Sequence, residues 1–340
     1  MAKRIDLTQV SEADLLGLKI CDLPLTIEDS WLGTCVRKLY NELERKGIQF
    51  KPPCYLADEW LTPDGEPVVG IAFFLAHPVL MKLERKMMLD IEGGTREWCM
   101  KLLRHEAGHA INYAYKLYRR KRWRKVFGRF SQQYSDTYRF RPYSKSFVKH
   151  LEDYYAQYHP DEDFAETFAV WLKPHSDWEN QYRGWKALRK LQYVDILMQE
   201  IKDKHPFKKD GKKYWRVPSL KITLKNYYKK KRQFYAEDFP DFHDSNLKRI
   251  FIVREKKYKN MPFASDLIKK YKKNIVESVS IWTGEKKYII NDLLETIIDR
   301  CRDLKLIFTG QEETAMLEIS TYITTLIMNY IHTGRFRRKK

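Results

Sequence analysis

The sequence contains no apolar run long enough to cross a bilayer; its most apolar late stretch, Ile319 to Ile331, is too short and too rich in threonine. The opening residues, Met1 to Thr8, lack the apolar centre of a signal peptide, so no secretory leader is expected. Cysteine is sparse: Cys21, Cys35, Cys54, Cys99 and Cys301 are dispersed, and none forms a C-x-x-C pair. That argues against a disulfide framework and a cysteine-ligated metal site, and it fits reduced thiols in a soluble, cytoplasmic protein. Internal repeats, heptad runs and low-complexity tracts are also missing, which argues against solenoids and coiled coils.

Apolar residues make up 43% and aromatics 14% of the 340 residues, enough to build a core of one large or two ordinary domains. Charge is unevenly spread. From Asp203 onward there are 32 Lys and Arg against 17 Asp and Glu, so that part carries most of the net charge of +19. A basic half of this kind suits an acidic partner such as nucleic acid, anionic lipid or an acidic protein, or it is a solvated lysine-rich surface. The chain is therefore divided near His205-Pro206 into residues 1–205 and a basic region, 206–340.

Periodicity outlines the first part. Thr26 to Lys46 reads as an amphipathic helix with Ile27, Trp31, Cys35, Leu39 and Leu43 at a spacing of four, ended by Gly47. Val68 to Leu75 is a short β-rich apolar run, read as a strand that is either buried in the core or lines a cleft where an extended chain could pair. Thr95 caps a helix whose core-facing stripe runs from Trp98 to Leu117, and Gly108 inside it invites another segment to approach closely. The basic run Tyr118 to Lys125 is an exposed helix end or a charged rim. Phe147 to Tyr158 is read as helical, and Pro160 with three following acids starts another helix. Ser176 to Glu179 reads as a capping box opening a helix to about Asp203. Beyond it, strands are expected around Val217 and at Arg249 to Arg254, helices at Asn291 to Arg302 and Glu312 to Ile331, and a basic tail from Arg335.

Within the Thr95 helix stands His105-Glu106-Ala107-Gly108-His109. Histidines at i and i+4 lie on one helical face, and the glutamate between them can reach a water on an ion held by both rings. This is the H-E-x-x-H arrangement of zinc hydrolases; the competing reading is two core histidines. A zinc hydrolase needs three protein ligands and one open position. Tyr115 and Asn112 occupy the positions where a metzincin carries its third histidine and a glycine, so that solution is excluded. The remaining common solution is a glutamate from a later helix. In Phe164-Ala165-Glu166-Thr167-Phe168-Ala169, Glu166 points away from the Phe164 stripe and meets that description.

These two motifs resemble those of gluzincin-type zinc metallopeptidases, among them the anthrax lethal factor catalytic domain and Mlc titration factor A. They are closer still to a bacterial group of zinc-binding metallopeptidases, in which an H-E-x-G-H helix precedes a His/Asp-Pro-x-Glu-Asp-Phe-Ala-Glu-Thr helix. The resemblance runs from about Gly70 to Leu172 and leaves out the basic region. It implies an α+β fold: a mainly helical zincin-like domain with a small sheet beside the active-site helix, followed by a basic α+β region. It also implies a Zn2+ cofactor held by His105, His109 and Glu166, with Glu106 as general base and acid in the hydrolysis of a peptide or protein substrate.

Two departures from the family pattern stand out. The family's oxyanion-stabilising tyrosine lies seven residues before the ligand glutamate; counted from Glu166, that position is His159, with Tyr158 beside it. Either could serve. The aspartate that follows the ligand glutamate by four residues in thermolysin-like enzymes is replaced by Val170, leaving Asp163 or Glu162 to orient a histidine, or merely to complement the helix terminus. The alternative function is a metal-containing or degenerate peptidase fold whose basic half contacts nucleic acid or an acidic protein.

Overall fold

Ser11 and Ser30 start the first two helices, α1 (Glu12–Gly17) and α2 (Trp31–Arg45), by accepting hydrogen bonds from backbone N–H groups in the first turn. The helix expected from Thr26 thus begins one turn later, and Thr26 caps only the preceding turn, through the Asp29 N–H. Gly47, at φ +74°, ends α2 as expected. These features come from a computed structural model that describes residues 5–88, 90–134, 141, 144–151, 154–233, 243–258 and 261–333. The basic tail from Arg335 lies outside the described residues, as does Pro142.

The first strand pair is small and parallel: β1 (Cys54–Ala57) against β2 (Val69–Ala72), with Cys54 opposite Val69 and Ala57 opposite Ala72. Every residue of β2 is buried. Gly70 on its other edge exchanges two backbone hydrogen bonds with Leu61, at 2.8 and 3.2 Å. The strand therefore belongs to the core at that position and has no free edge there. After Ala72 the chain tightens into a 3₁₀ turn, Phe73–Ala76, so the strand is shorter than the apolar run suggests.

Helices α3 (Pro78–Met88) and α4 (Arg96–Ala114) follow, the latter capped by Thr95 through the Trp98 N–H. The basic run forms α5 (Lys121–Phe127), whose two buried aromatics, Trp123 and Phe127, pack on Phe164 at ring separations of 5.9 and 5.4 Å. Phe164 belongs to α6 (Pro160–Leu172), every residue of which is buried. The helix expected over Phe147 to Tyr158 is not formed; its described residues hold only a 3₁₀ turn at Tyr155–Gln157. Their backbone groups are taken by side chains instead, the Leu151 N–H by Glu166 and the Lys149 N–H by the Tyr182 hydroxyl. The long helix expected from Ser176 is likewise interrupted. It is split into α7 (Trp178–Gln181) and α8 (Ala187–Ile201), with Gly184 at φ +78° between them and no side-chain cap from Asp177.

The chain forms two compact units. One comprises Met1–Arg85, Ile91–Ser135 and Arg139–Tyr227; the other comprises Lys86–Asp90, Asp136–Tyr138 and Tyr228–Lys340. The main division thus lies at Tyr227, past the Pro206 boundary read from the sequence. Residues after 206 remain tied to the first unit by backbone bonds from Ile20 to Ile222, Cys21 to Leu220 and Leu224 to Leu18, and by the Tyr227 hydroxyl on Asp58 and Glu59. Helix α9 (Leu224–Gln233) carries the chain across this division. The second unit contains α10 (Asp244–Ile250), α11 (Ala264–Thr283), α12 (Lys287–Asp303) and α13 (Glu312–Thr333), with a short antiparallel pair, β3 (Ile252–Val253) and β4 (Leu306–Ile307). The whole is α+β and mainly helical, and among the described residues no helix is long and apolar enough to cross a membrane.

What positions the candidate site is the crossing of α4 and α6. Gly108 makes it possible: a Cβ placed there would meet the Ala165 Cα at 2.8 Å and its carbonyl oxygen at 3.1 Å. Both are backbone atoms, which cannot swing aside as a flexible side chain could. Gly108→Ala gains about 1 kcal/mol of helix propensity but must push the two helices apart. The expected outcome in urea denaturation is a net loss of about 1–3 kcal/mol, the cost of overpacking a tight core. A more stable variant would show that the contact is not a constraint.

Candidate metal centre

Burial of α6 sets the chemistry of the site. His159 caps the helix, accepting at Nδ1 from the Asp161 N–H, and Pro160 opens the first turn. Asp161, Glu162, Asp163 and Glu166 then point into protein, each no more than 5% exposed. Carboxylates are almost never buried without partners, and each of these four has its own.

Glu162 reaches the two histidines of α4. Its Oε2 lies 3.1 Å from His105 Nε2 and 3.1 Å from His109 Nε2, and those two nitrogens are 3.1 Å apart. Its other oxygen accepts from the Tyr134 hydroxyl at 2.9 Å. The far side of each ring is engaged as well. Glu166 Oε1 is 2.9 Å from His105 Nδ1 and its Oε2 accepts from the Leu151 N–H, while Asp161 Oδ2 is 2.8 Å from His109 Nδ1. Asp161 also accepts from Asn112 and Tyr113, so it is firmly held.

With Nδ1 of each ring donating to a carboxylate, the Nε2 lone pairs are turned toward each other and toward Glu162. Three donor atoms at mutual separations of 3.1 Å match a tetrahedral zinc site, where bond lengths of about 2.0–2.1 Å place ligands about 3.3 Å apart. His105, His109 and Glu162 therefore form a buried His-His-Glu group with the spacing to hold a metal ion. The donor chemistry fits zinc, and Asp161 and Glu166 supply the outer carboxylates that orient zinc-binding imidazoles. Without an ion, protons take its place. Burial opposes charging of His105, but its hydrogen bonds to the carboxylates of Glu162 and Glu166 outweigh it and raise the pKa to about 9. His109 is raised too, burial again being overcome by Asp161 and Glu162. Burial alone would raise the Glu162 carboxyl, yet the two histidines hold it well below its usual range.

The residues expected at this site are thus brought together, but in different places. Glu166 does not join the converging donors; it backs His105, and Glu162 occupies the position expected of it. Of the two residues counted back from Glu166, His159 has no ring nitrogen left for a substrate oxygen. His159 is buried with both nitrogens engaged, Nδ1 by the Asp161 N–H and Nε2 by the Gln132 carbonyl, under the stacked ring of Tyr134. Tyr158 lies against Tyr155 and Tyr134. Tyr155 also stands beside the cluster, its ring 5.6 Å from that of His105. Burial and the charges of Glu162, Glu106 and Glu166 push its pKa well up, which keeps the phenol protonated. Glu106 is buried on α4 between the two histidines, its backbone carbonyl accepting from Thr62.

Glu162 as a converging donor and Tyr155 escaped the sequence reading, which gave Glu162 only an orienting role, although the spacing contains them. Tyr155 precedes Glu162 by seven residues and Glu166 follows it by four. Those are the two spacings that failed when counted from Glu166.

Residues 96–203 match a protein-family model. Its description is "Putative zinc-binding metallo-peptidase". The match spans α4 to α8 and so takes in every residue of the His-His-Glu group. Neither a curated protein nor a solved structure matches the chain.

Asp163, the fourth buried acid, faces away from the histidines. One oxygen meets Lys190 Nζ at 2.6 Å and the other has no partner. Burial pushes its pKa up from 3.8 to about 7, with Lys190 opposing. Between those values the folded state binds more protons at this group than the unfolded state, so its contribution to stability falls as pH rises, by up to about 1.4 kcal/mol per pH unit. Asp163→Asn should remove that slope. Urea melts of both proteins at pH 5, 6 and 7 should diverge, with the parent losing ground to the variant; parallel pH profiles would contradict the assignment.

Proposed function

We propose that this protein is a zinc-dependent peptidase, with His105, His109 and Glu162 as the metal ligands. The observation that carries the proposal is the convergence of three donor atoms at 3.1 Å, two of them from α4, the helix that also carries Glu106, and the third from α6. A zinc ion bound there would acidify a water molecule and polarise the carbonyl of a peptide bond.

The chain's own residues carry the proton chemistry. Glu106 accepts the proton of the attacking water and returns it to the leaving amine nitrogen, which would otherwise depart as an unfavourable anion. The Tyr155 phenol, kept protonated by its anionic surroundings, donates to the oxyanion that forms as the carbonyl carbon becomes tetrahedral. Tyr134 and Leu151 hold the carboxylates of Glu162 and Glu166 in place, and Asp161 fixes the orientation of His109. Retention of Glu106 favours a working hydrolase over a binding protein built on the same fold.

Metal analysis of variants tests the ligand set. Glu162→Ala should abolish stoichiometric zinc, whereas Glu166→Gln should keep zinc at an affinity lowered about 10–100-fold. The opposite ranking would restore Glu166 as the third ligand. Glu106→Gln should keep full zinc and lose peptide hydrolysis. Tyr155→Phe should keep zinc and lower kcat by about 100–1,000-fold, as for the loss of one oxyanion donor, with little change in KM. Unchanged turnover in either variant would contradict the assigned role.

A further inference from the structure

Arg96, Met100 and Arg104 recur every four residues on α4, on the face turned away from His105 and His109. This face lines an open groove of about 880 Å³ between α2, α4 and the turn after α6. Arg37, Lys38 and Arg45 enter it from α2, and Lys173 from the turn. Cys35 and Met100 give it an apolar floor.

The floor also holds a buried ion pair. Arg104, 6% exposed, donates from Nε and Nη2 to the two oxygens of Glu42 at 2.8 and 2.9 Å. Glu42 is thereby neutralised, and Nη1 of Arg104 is left over. The other five cations have no carboxylate within 4.0 Å among the described residues. Elsewhere in the same unit, exposed cations take acidic partners, as in Lys51 with Glu44 and Arg120 with Glu200. Glu97 is the one remaining carboxylate on the groove wall. Gathering like charges in a concave site raises the local potential and costs stability unless an anion relieves it.

We propose that this groove binds a compact oligophosphate, the chain of linked phosphates shared by nucleoside polyphosphates and inorganic polyphosphate. Cations converging from three separate elements suit several linked anionic groups better than one. Arginine forks in particular match phosphate oxygens in pairs. The volume falls in the range of small-ligand pockets, about 300–1,000 Å³, and the concavity is wrong for a flat membrane or an extended nucleic-acid strand. Nothing in this inference depends on peptidase activity.

Isothermal titration of the full-length, zinc-loaded protein with sodium tripolyphosphate, and separately with ATP, tests it, zinc content being measured before and after. One equivalent should bind with zinc retained. Arg45→Glu combined with Arg96→Glu, both exposed and without acidic partners, should weaken binding at least about tenfold. Lys229→Glu combined with Lys230→Glu, in the other unit, should leave it unchanged. Equal affinity for the two probes would assign recognition to the phosphate chain, and tighter ATP binding would add a nucleoside contact; both support the proposal. It is overturned if neither probe binds, if the Arg45 and Arg96 reversals have no effect, or if the same arginines bind duplex RNA or anionic vesicles more tightly than either probe.

Discussion

The site depends on one electrostatic constraint: five carboxylates buried where two helices cross. Asp161, Glu162, Asp163 and Glu166 come from α6 and Glu106 from α4, and among the described residues Lys190 is the one lysine paired with any of them. A dry cluster with that excess of negative charge is costly unless cations enter it. The imidazoles of His105 and His109 answer it in one of two ways, by taking protons or by sharing a divalent ion. The field that raises their pKa values is therefore the one that favours a metal, and the two outcomes compete. Helix α6 can keep its acids buried only because α4 lies close enough to receive them, and Gly108 sets that distance.

Much of this was legible in the residues. Thr95, Pro160 and Gly47 mark helix ends whose backbone groups need capping, and each does so in the fold. Gly108 signalled a close approach without saying by what. Histidines at i and i+4 can share a face only on a helix, so the pair was fixed once α4 was assigned. The carboxylate that converges with them in the fold is Glu162, one helical turn before the expected Glu166. Glu162 and Glu166 lie on the same face of α6, and hydropathy alone cannot say which of two such acids faces Nε2 and which faces Nδ1. The family spacings distinguish them only when tested in both registers. Counted from Glu162, Tyr155 and Glu166 take the positions that His159 and Val170 had left unexplained.

Illegible parts share a cause, which is that tertiary partners claimed the backbone. The segment from Phe147 carries a plausible helical pattern, but Glu166 and Tyr182 bind its amides first. The helix expected from Ser176 gains no side-chain cap and is interrupted by the turn at Gly184. The stretch after His205 looked like the start of a separate basic region, yet its first twenty or so residues are tied by backbone and tyrosine hydrogen bonds to residues near the chain's beginning. Charge told a similar story. The net charge is concentrated late in the sequence, whereas the basic groove lies in the early part, on α2 and α4, where nearby acids mask it in any running sum.

The central claim is that the third donor belongs to Glu162 and that Glu166 stands behind His105. Crystals of the zinc-loaded protein, with diffraction measured on both sides of the zinc absorption edge, test it most directly. The account predicts one strong anomalous peak, about 2.0–2.2 Å from His105 Nε2, His109 Nε2 and a Glu162 oxygen, with Glu166 remaining on His105 Nδ1. A peak coordinated by Glu166, or one lying away from the two histidines, would contradict it.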